Sequence, residues 1–183
     1  MIGTADFSPC GTYRYGLTRR WDEHAPSTDT VLWLMLNPST ADAHVLDPTI
    51  RRCVGFSQLW GYGGLEVANL FALRSTDPSL LYGAERDPVG PRNDAAIIAA
   101  ARRCELIVVA WGVHGALHRR GDRVLALLAE VEGCVVRCLG TTKHGHPKHP
   151  LYVAAATAPR PFPLPARSPD ARAALLAPPE AAP

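Results

Sequence analysis

The chain has 183 residues and a mass of 19.7 kDa, the size of one ordinary domain that buries roughly two-thirds of the surface exposed by its unfolded form. Hydrophobic residues make up 47% and charged residues 20%, which excludes a disordered chain; a formal charge of +2 excludes a strongly basic nucleic-acid binder but leaves room for a local basic groove. No run of about 18 apolar residues is present, so no membrane span is expected, and five cysteines without tight pairing fit a reducing compartment.

The N-terminal MIGTADFSPCGTYRYG has no basic region followed by an apolar stretch, so the expected location is the cytoplasm. Residues Tyr13 to Trp21 read as an opening strand or hairpin arm. Thr30 to Leu36 (TVLWLML) is a continuous apolar run of strand length that stops at Asn37-Pro38. Asp47-Pro48 supplies an N-cap and a first-turn proline for a helix over Thr49 to Trp60, with Ile50, Cys53, Val54 and Trp60 on one face and Gly61 at its end. Leu65 to Leu70 is a second strand, and Asn93-Asp94 can cap a helix through AAIIAAARR. Glu105 to Trp111 is a third strand, Asp122 to Glu132 a helix, and Cys134 to Leu139 a fourth strand. Trp33 and Phe56 suit the core, as do the small residues Cys134 and Cys138.

Strands alternating with helices imply a three-layer α/β sandwich around a central, mainly parallel, four-stranded sheet. It occupies residues 1–157 as a single domain, without internal repeats. A disordered tail over 158–183 follows, rich in proline and alanine (PRPFPLPARSPD, then PPEAAP).

Ligands of such sheets sit outside the carboxyl ends of the strands, and here those ends are polar. The first strand leads into Asn37, Ser39, Thr40 and Asp42; the second into Asn69, Phe71 and Arg74. The third ends at Trp111-Gly112, and the fourth at Thr141, Thr142, Lys143, His144, His146, Lys148 and His149. Asn37 before proline suits a turn as well as a ligand, Asp42 suits a local turn, and Asp47 reads as a helix cap. An amide at Asn69, inside an apolar strand, requires partners when buried. The interleaving of His144, His146 and His149 with Pro and Lys argues against a metal site.

The strings LNPSTAD (Leu36 to Asp42), DPTIRRC (Asp47 to Cys53), NLFALRSTDP (Asn69 to Pro78), DPVGPRND (Asp87 to Asp94) and LGTTKHGHPKHPLY (Leu139 to Tyr152) resemble the bacterial and phage family termed domain of unknown function 1643. Their order is also distantly similar to that of the uracil-DNA glycosylase superfamily. Leu36-Asn37-Pro38-Ser39 resembles its water-positioning motif, with Leu36 where that motif has glycine. Asn69 stands where that superfamily reads the base, and His146-Pro147 or His149-Pro150 stands in the late His-Pro position.

The resemblance implies a DNA glycosylase that hydrolyses the N-glycosidic bond of a damaged or modified base, in repair or in phage conflict. In this scheme Asn37 and Asp42 hold water and stabilise the sugar cation, and His149 or His146 donates to the departing base. Asn69, Phe71 and Trp111 bind the flipped base. Ser39, Thr40, Thr141, Thr142, Lys143, Lys148, Arg51 and Arg74 grip phosphates. The partner is then DNA, single-stranded or modified DNA included, bound by a monomer that needs no metal or organic cofactor. Two rivals use the same rim: a hydrolase of free nucleotides or nucleosides, and a non-catalytic nucleotide or nucleic-acid binding module.

Overall fold

A computed structural model describes residues 1–24, 26, 29–39, 47–83 and 85–167. Thr40 and Asp42 lie outside the described residues. Among those residues the strands are β1 (Ile2–Phe7), β2 (Arg14–Arg20), β3 (Thr30–Met35), β4 (Gly64–Asn69), β5 (Leu106–Val109), β6 (Val136–Cys138) and β7 (Arg160–Pro161). The helices are α1 (Pro48–Leu59), α2 (Asn93–Arg103) and α3 (Arg120–Ala129), with short 3₁₀ turns at Pro78–Leu81, Val113–Arg119 and Pro150–Tyr152.

All seven strands form one sheet in the order β1-β2-β4-β3-β5-β6-β7. Its middle is the expected set of four parallel strands, β4, β3, β5 and β6. The expected strand count is corrected by antiparallel neighbours on both sides: β1 and β2 next to β4, and β7 next to β6. β1 escapes a hydropathy reading because it is an edge strand whose residues alternate between exposed and half-buried. β7 lies in the stretch expected to be a tail, and Phe162 and Leu164 beyond it pack on the core.

Alternation along β3 explains the layering, because successive side chains of a strand point to opposite faces. Val31, Trp33 and Met35 meet Ile50, Cys53 and Phe56 of α1 on one face. Leu32 and Leu34 meet Ile97, Ile98 and Ala101 of α2 and Val124, Leu127 and Leu128 of α3 on the other. Trp33, Phe56 and Trp60 pack ring against ring at 5.5–5.9 Å, and the Trp33 indole N–H donates to the Ser57 hydroxyl at 3.0 Å. Cys138 is buried in the α2/α3 core and Cys134, outside the short β6, packs against it. No helix of the described residues is long and apolar enough to cross a membrane.

The Asp47 carboxylate accepts from the Ile50 N–H at 2.7 Å and so caps α1 as expected. At α2 the expectation fails. The helix begins at Asn93 with no side-chain cap, because the Asn93 amide turns inward and donates to the carbonyls of Asn69 at 3.0 Å and Leu70 at 2.9 Å.

Candidate functional site

A cleft of about 640 Å³ opens at the carboxyl ends of β3, β4 and β5. This is the size of a pocket that takes one small organic ligand. Of the residues singled out in the sequence, Asn37, Ser39, Asn69, Trp111, Thr142, Lys148 and His149 line it. Chain crossover accounts for this convergence: β3 lies between β4 and β5, so the loop carrying Asn37 is flanked by Asn69 and by Trp111.

Asn69 ends β4 and is 2% exposed. Its Oδ1 accepts from the Arg14 guanidinium at 3.3 Å, while its Nδ2 has no partner among the described residues. A buried donor left unmatched is uncommon in native proteins and marks a place where a ligand acceptor would be stabilised. Arg14, on β2, also lines the cleft; burial pushes its pKa down to about 10, with Asp47 opposing. It therefore stays cationic at neutral pH. Sequence reasoning passed over it, because TYRYGLTRR carries three arginines and nothing in the string marks Arg14 as the one facing the cleft.

Asn37 uses its amide hydrogens on backbone, donating to the Ser75 carbonyl at 2.8 Å and the Pro38 carbonyl at 3.2 Å. The chemistry left to that amide is acceptance at Oδ1. Ser39 hydrogen-bonds to the Asp47 carboxylate, which places Asp47 in the wall beside the helix it caps. Trp111 is 3% exposed, with its indole seated on Gly115 and Gly121 and edge-on to Phe162 at 6.4 Å. A Cβ at Gly115 would lie 2.0 Å from the indole, so glycine is required there by close approach.

The loop after β6 is a tight backbone structure. Thr142 N–H donates to His146 O at 2.8 Å, Lys148 N–H to Gly140 O at 2.9 Å, and Gly112 N–H to Pro147 O at 2.9 Å. Its return limb brings Lys148 and His149 to the cleft, while its tip holds Lys143 and His144 exposed. His149 Nδ1 accepts from the Leu151 N–H at 3.4 Å, which in the neutral ring assigns the proton to Nε2. Burial pushes the His149 pKa down, with Asp47 partly opposing. Arg52 secures the following turn, donating to Pro150 O at 3.4 Å and Val153 O at 2.5 Å.

Several expected site residues stand elsewhere. Phe71 is fully buried in the α2/α3 core, where no face of its ring is open to a base. His146, Thr141, Lys143 and Arg51 do not line the cleft. His146 lies on the stem of the loop and its backbone bonds to Thr142, and Arg51 is on the exposed side of α1. Arg74 sits on a neighbouring groove of about 460 Å³, lined also by Gly11, Thr12 and Leu73, that shares Ser39, Ser75 and Thr76 with the cleft. Its guanidinium rests 4.9 Å over the Phe7 ring and donates to Gly11 O at 3.0 Å. Among the described residues no three His, Cys, Asp or Glu side chains group to hold a metal ion.

Residues that sequence reasoning missed complete the rim. Tyr152 lies at the mouth, 81% exposed, its ring centroid 5.7 Å from that of His149. His114 also lines the cleft, and its Nδ1 hydrogen-bonds the Tyr82 hydroxyl at 3.0 Å.

The family described as Protein of unknown function (DUF1643) matches residues 14–151, a span that contains every described cleft residue except Tyr152. The chain belongs to that family. It matches no curated protein and no solved structure.

Proposed function

We propose that this chain hydrolyses the N-glycosidic bond of a damaged or modified base in DNA, in the manner of the uracil-DNA glycosylase superfamily its motifs resemble. The observation that carries this reading is the meeting of an acceptor-only amide (Asn37), an unmatched buried amide donor (Asn69) and a neutral histidine (His149) in one cleft. Cleavage passes through a cationic sugar and a departing base anion, so it calls for acceptors beside the sugar and donors beside the base.

Asn37 Oδ1 holds the attacking water, whose oxygen bonds to C1′ as the C1′–N bond breaks. The bonding pair leaves with the base, the Asp47 carboxylate favours the sugar cation, and the His149 Nε2–H steadies the base anion. The water's proton ends on the released base. Asn69 offers Nδ2–H to an acceptor on the base edge. The stacking role expected of Phe71 passes to Tyr152 at the rim. The shared groove toward Arg74 gives a polymer an exit path past Ser39, Ser75 and Thr76, and this favours DNA over a free nucleotide.

Single-turnover release of base from oligonucleotides bearing uracil, damaged or phage-type modified bases, read as alkali-labile sites with chelator present, tests the proposal. Release by the wild type and its loss in Asn37→Ala support it. Hydrolysis of free nucleosides alone would replace it with the small-molecule hydrolase, and salt-sensitive binding without release with the binding module.

A further inference from the structure

The end of β4 is gripped from behind by side chains that do not line the cleft. The Asn93 amide donates to both the Asn69 and Leu70 carbonyls, and Arg120 Nε donates to the Leu70 carbonyl at 2.7 Å. Arg120 is 2% exposed; its terminal nitrogen lies 2.5 Å from one oxygen of Asp94, whose other oxygen takes Arg123 at 3.1 and 3.2 Å. We propose that Asn93 and the Arg120–Asp94 pair are positioning residues that fix the backbone at Asn69 and thereby aim its amide into the cleft. The inference rests on the reading of Asn69 as the base-recognising residue.

Three observations carry it beyond ordinary packing. A buried arginine is an inefficient stabiliser, since desolvation offsets much of the attraction to its partner, and here burial lowers its pKa. The chain reaches Arg120 through two consecutive left-handed non-glycine residues, His118 at φ 51° and Arg119 at φ 53°, a conformation that needs support from its surroundings. In front, the Asn69 amide is held only through Oδ1, by Arg14 at 3.3 Å, and its Nδ2 has no partner among the described residues, so its direction depends on where the backbone is held as well as on Arg14.

Two readouts on the full chain test this. The first is the side-chain amide signal of Asn69 in a ¹⁵N-labelled protein, assigned by its disappearance in Asn69→Ala. It should shift or broaden in Asn93→Ala and in the milder Arg120→Lys, which keeps a charge for Asp94 but loses the Nε donor. The second is discrimination between a released base and a competing base at single turnover. It should fall about tenfold in Asn93→Ala, the order of one misplaced hydrogen bond, and fall no further when Asn93→Ala is added to Asn69→Ala.

An unmoved Asn69 signal in both variants, or equal losses from Asn93→Ala with and without Asn69, would overturn the proposal in favour of a merely structural role. If the wild type releases no base from any DNA, the functional reading fails and the amide signal alone decides whether the positioning holds.

Discussion

On one side of the cleft the end of β4 is fixed from behind by the buried Asn93 and Arg120, with the half-buried Asp94 paired to Arg120, reaching across from two helices. On the other side residues 140–149 keep their shape through their own backbone hydrogen bonds, with exposed side chains at the tip and one helix arginine, Arg52, at the following turn. The first wall is therefore tied to the stability of the whole domain. The second can change side chains freely wherever they do not reach the cleft. Damage to the first wall should appear as lost stability together with lost discrimination, and damage to the second as lost chemistry alone.

The largest effect should come from cutting the first wall at its charge. Asp94→Ala leaves Arg120 buried without its carboxylate and should lower unfolding free energy by about 3 kcal/mol, the low end for a broken buried pair because Asp94 is partly exposed; urea denaturation measures it. A comparable loss of stability from His146→Ala, on the second wall, would break the comparison. Next, Asn37→Ala and His149→Ala should each slow base release about a hundredfold, or about 2.7 kcal/mol. Substrate affinity should change little, because both groups act on charge that develops during cleavage. Single-turnover rates and equilibrium binding separate the two, and full activity in either variant would remove its assigned role.

Asp47→Ala should cost about 1 kcal/mol of stability through the lost helix cap, and Asp47→Asn should restore most of it; thermal unfolding compares them. The smallest effect is a pH dependence. Burial holds the His149 pKa below its ordinary value of 6.5, so as pH falls through about 6.5 the unfolded chain takes up a proton before the folded one does. Stability contributed by the neutral, buried ring is thus present above that pH and declines below it. His149→Asn, which keeps an acceptor for the Leu151 N–H, should flatten this decline, and denaturant midpoints at successively lower pH would show a slope unchanged by the substitution if the assignment is wrong.

The interior strands were legible because apolar runs such as TVLWLML have few other places to go. β3 ends one residue short of the expected Leu36, and α1 begins one residue before Thr49. Asp47 was legible as a cap because cap and first-turn proline are adjacent in sequence. What escaped depends on direction rather than residue type. Phe71 follows β4 by two residues yet faces the core, Asn93 has the composition of a cap yet donates inward, and Arg14 looks like a surface charge until β2 is laid beside β4 and its guanidinium meets Asn69. The split of the 141–149 segment into cleft and solvent sides is set by backbone bonds such as Thr142 to His146, for which the residue string carries no signal.

The two-residue strand β7 has a consequence for how this molecule meets its neighbours. An open sheet edge is a template on which another chain can add, and proline denies it a donor. Arg160–Pro161 closes the β6 side with a strand too short and too poor in N–H groups to be extended, while Phe162 covers the flank of Trp111. A chain cut at residue 157 would uncover β6 along its length and one side of that indole together. Such a truncated protein should self-associate with rising concentration, which sedimentation would reveal as a growing mass, where the full chain holds a constant one.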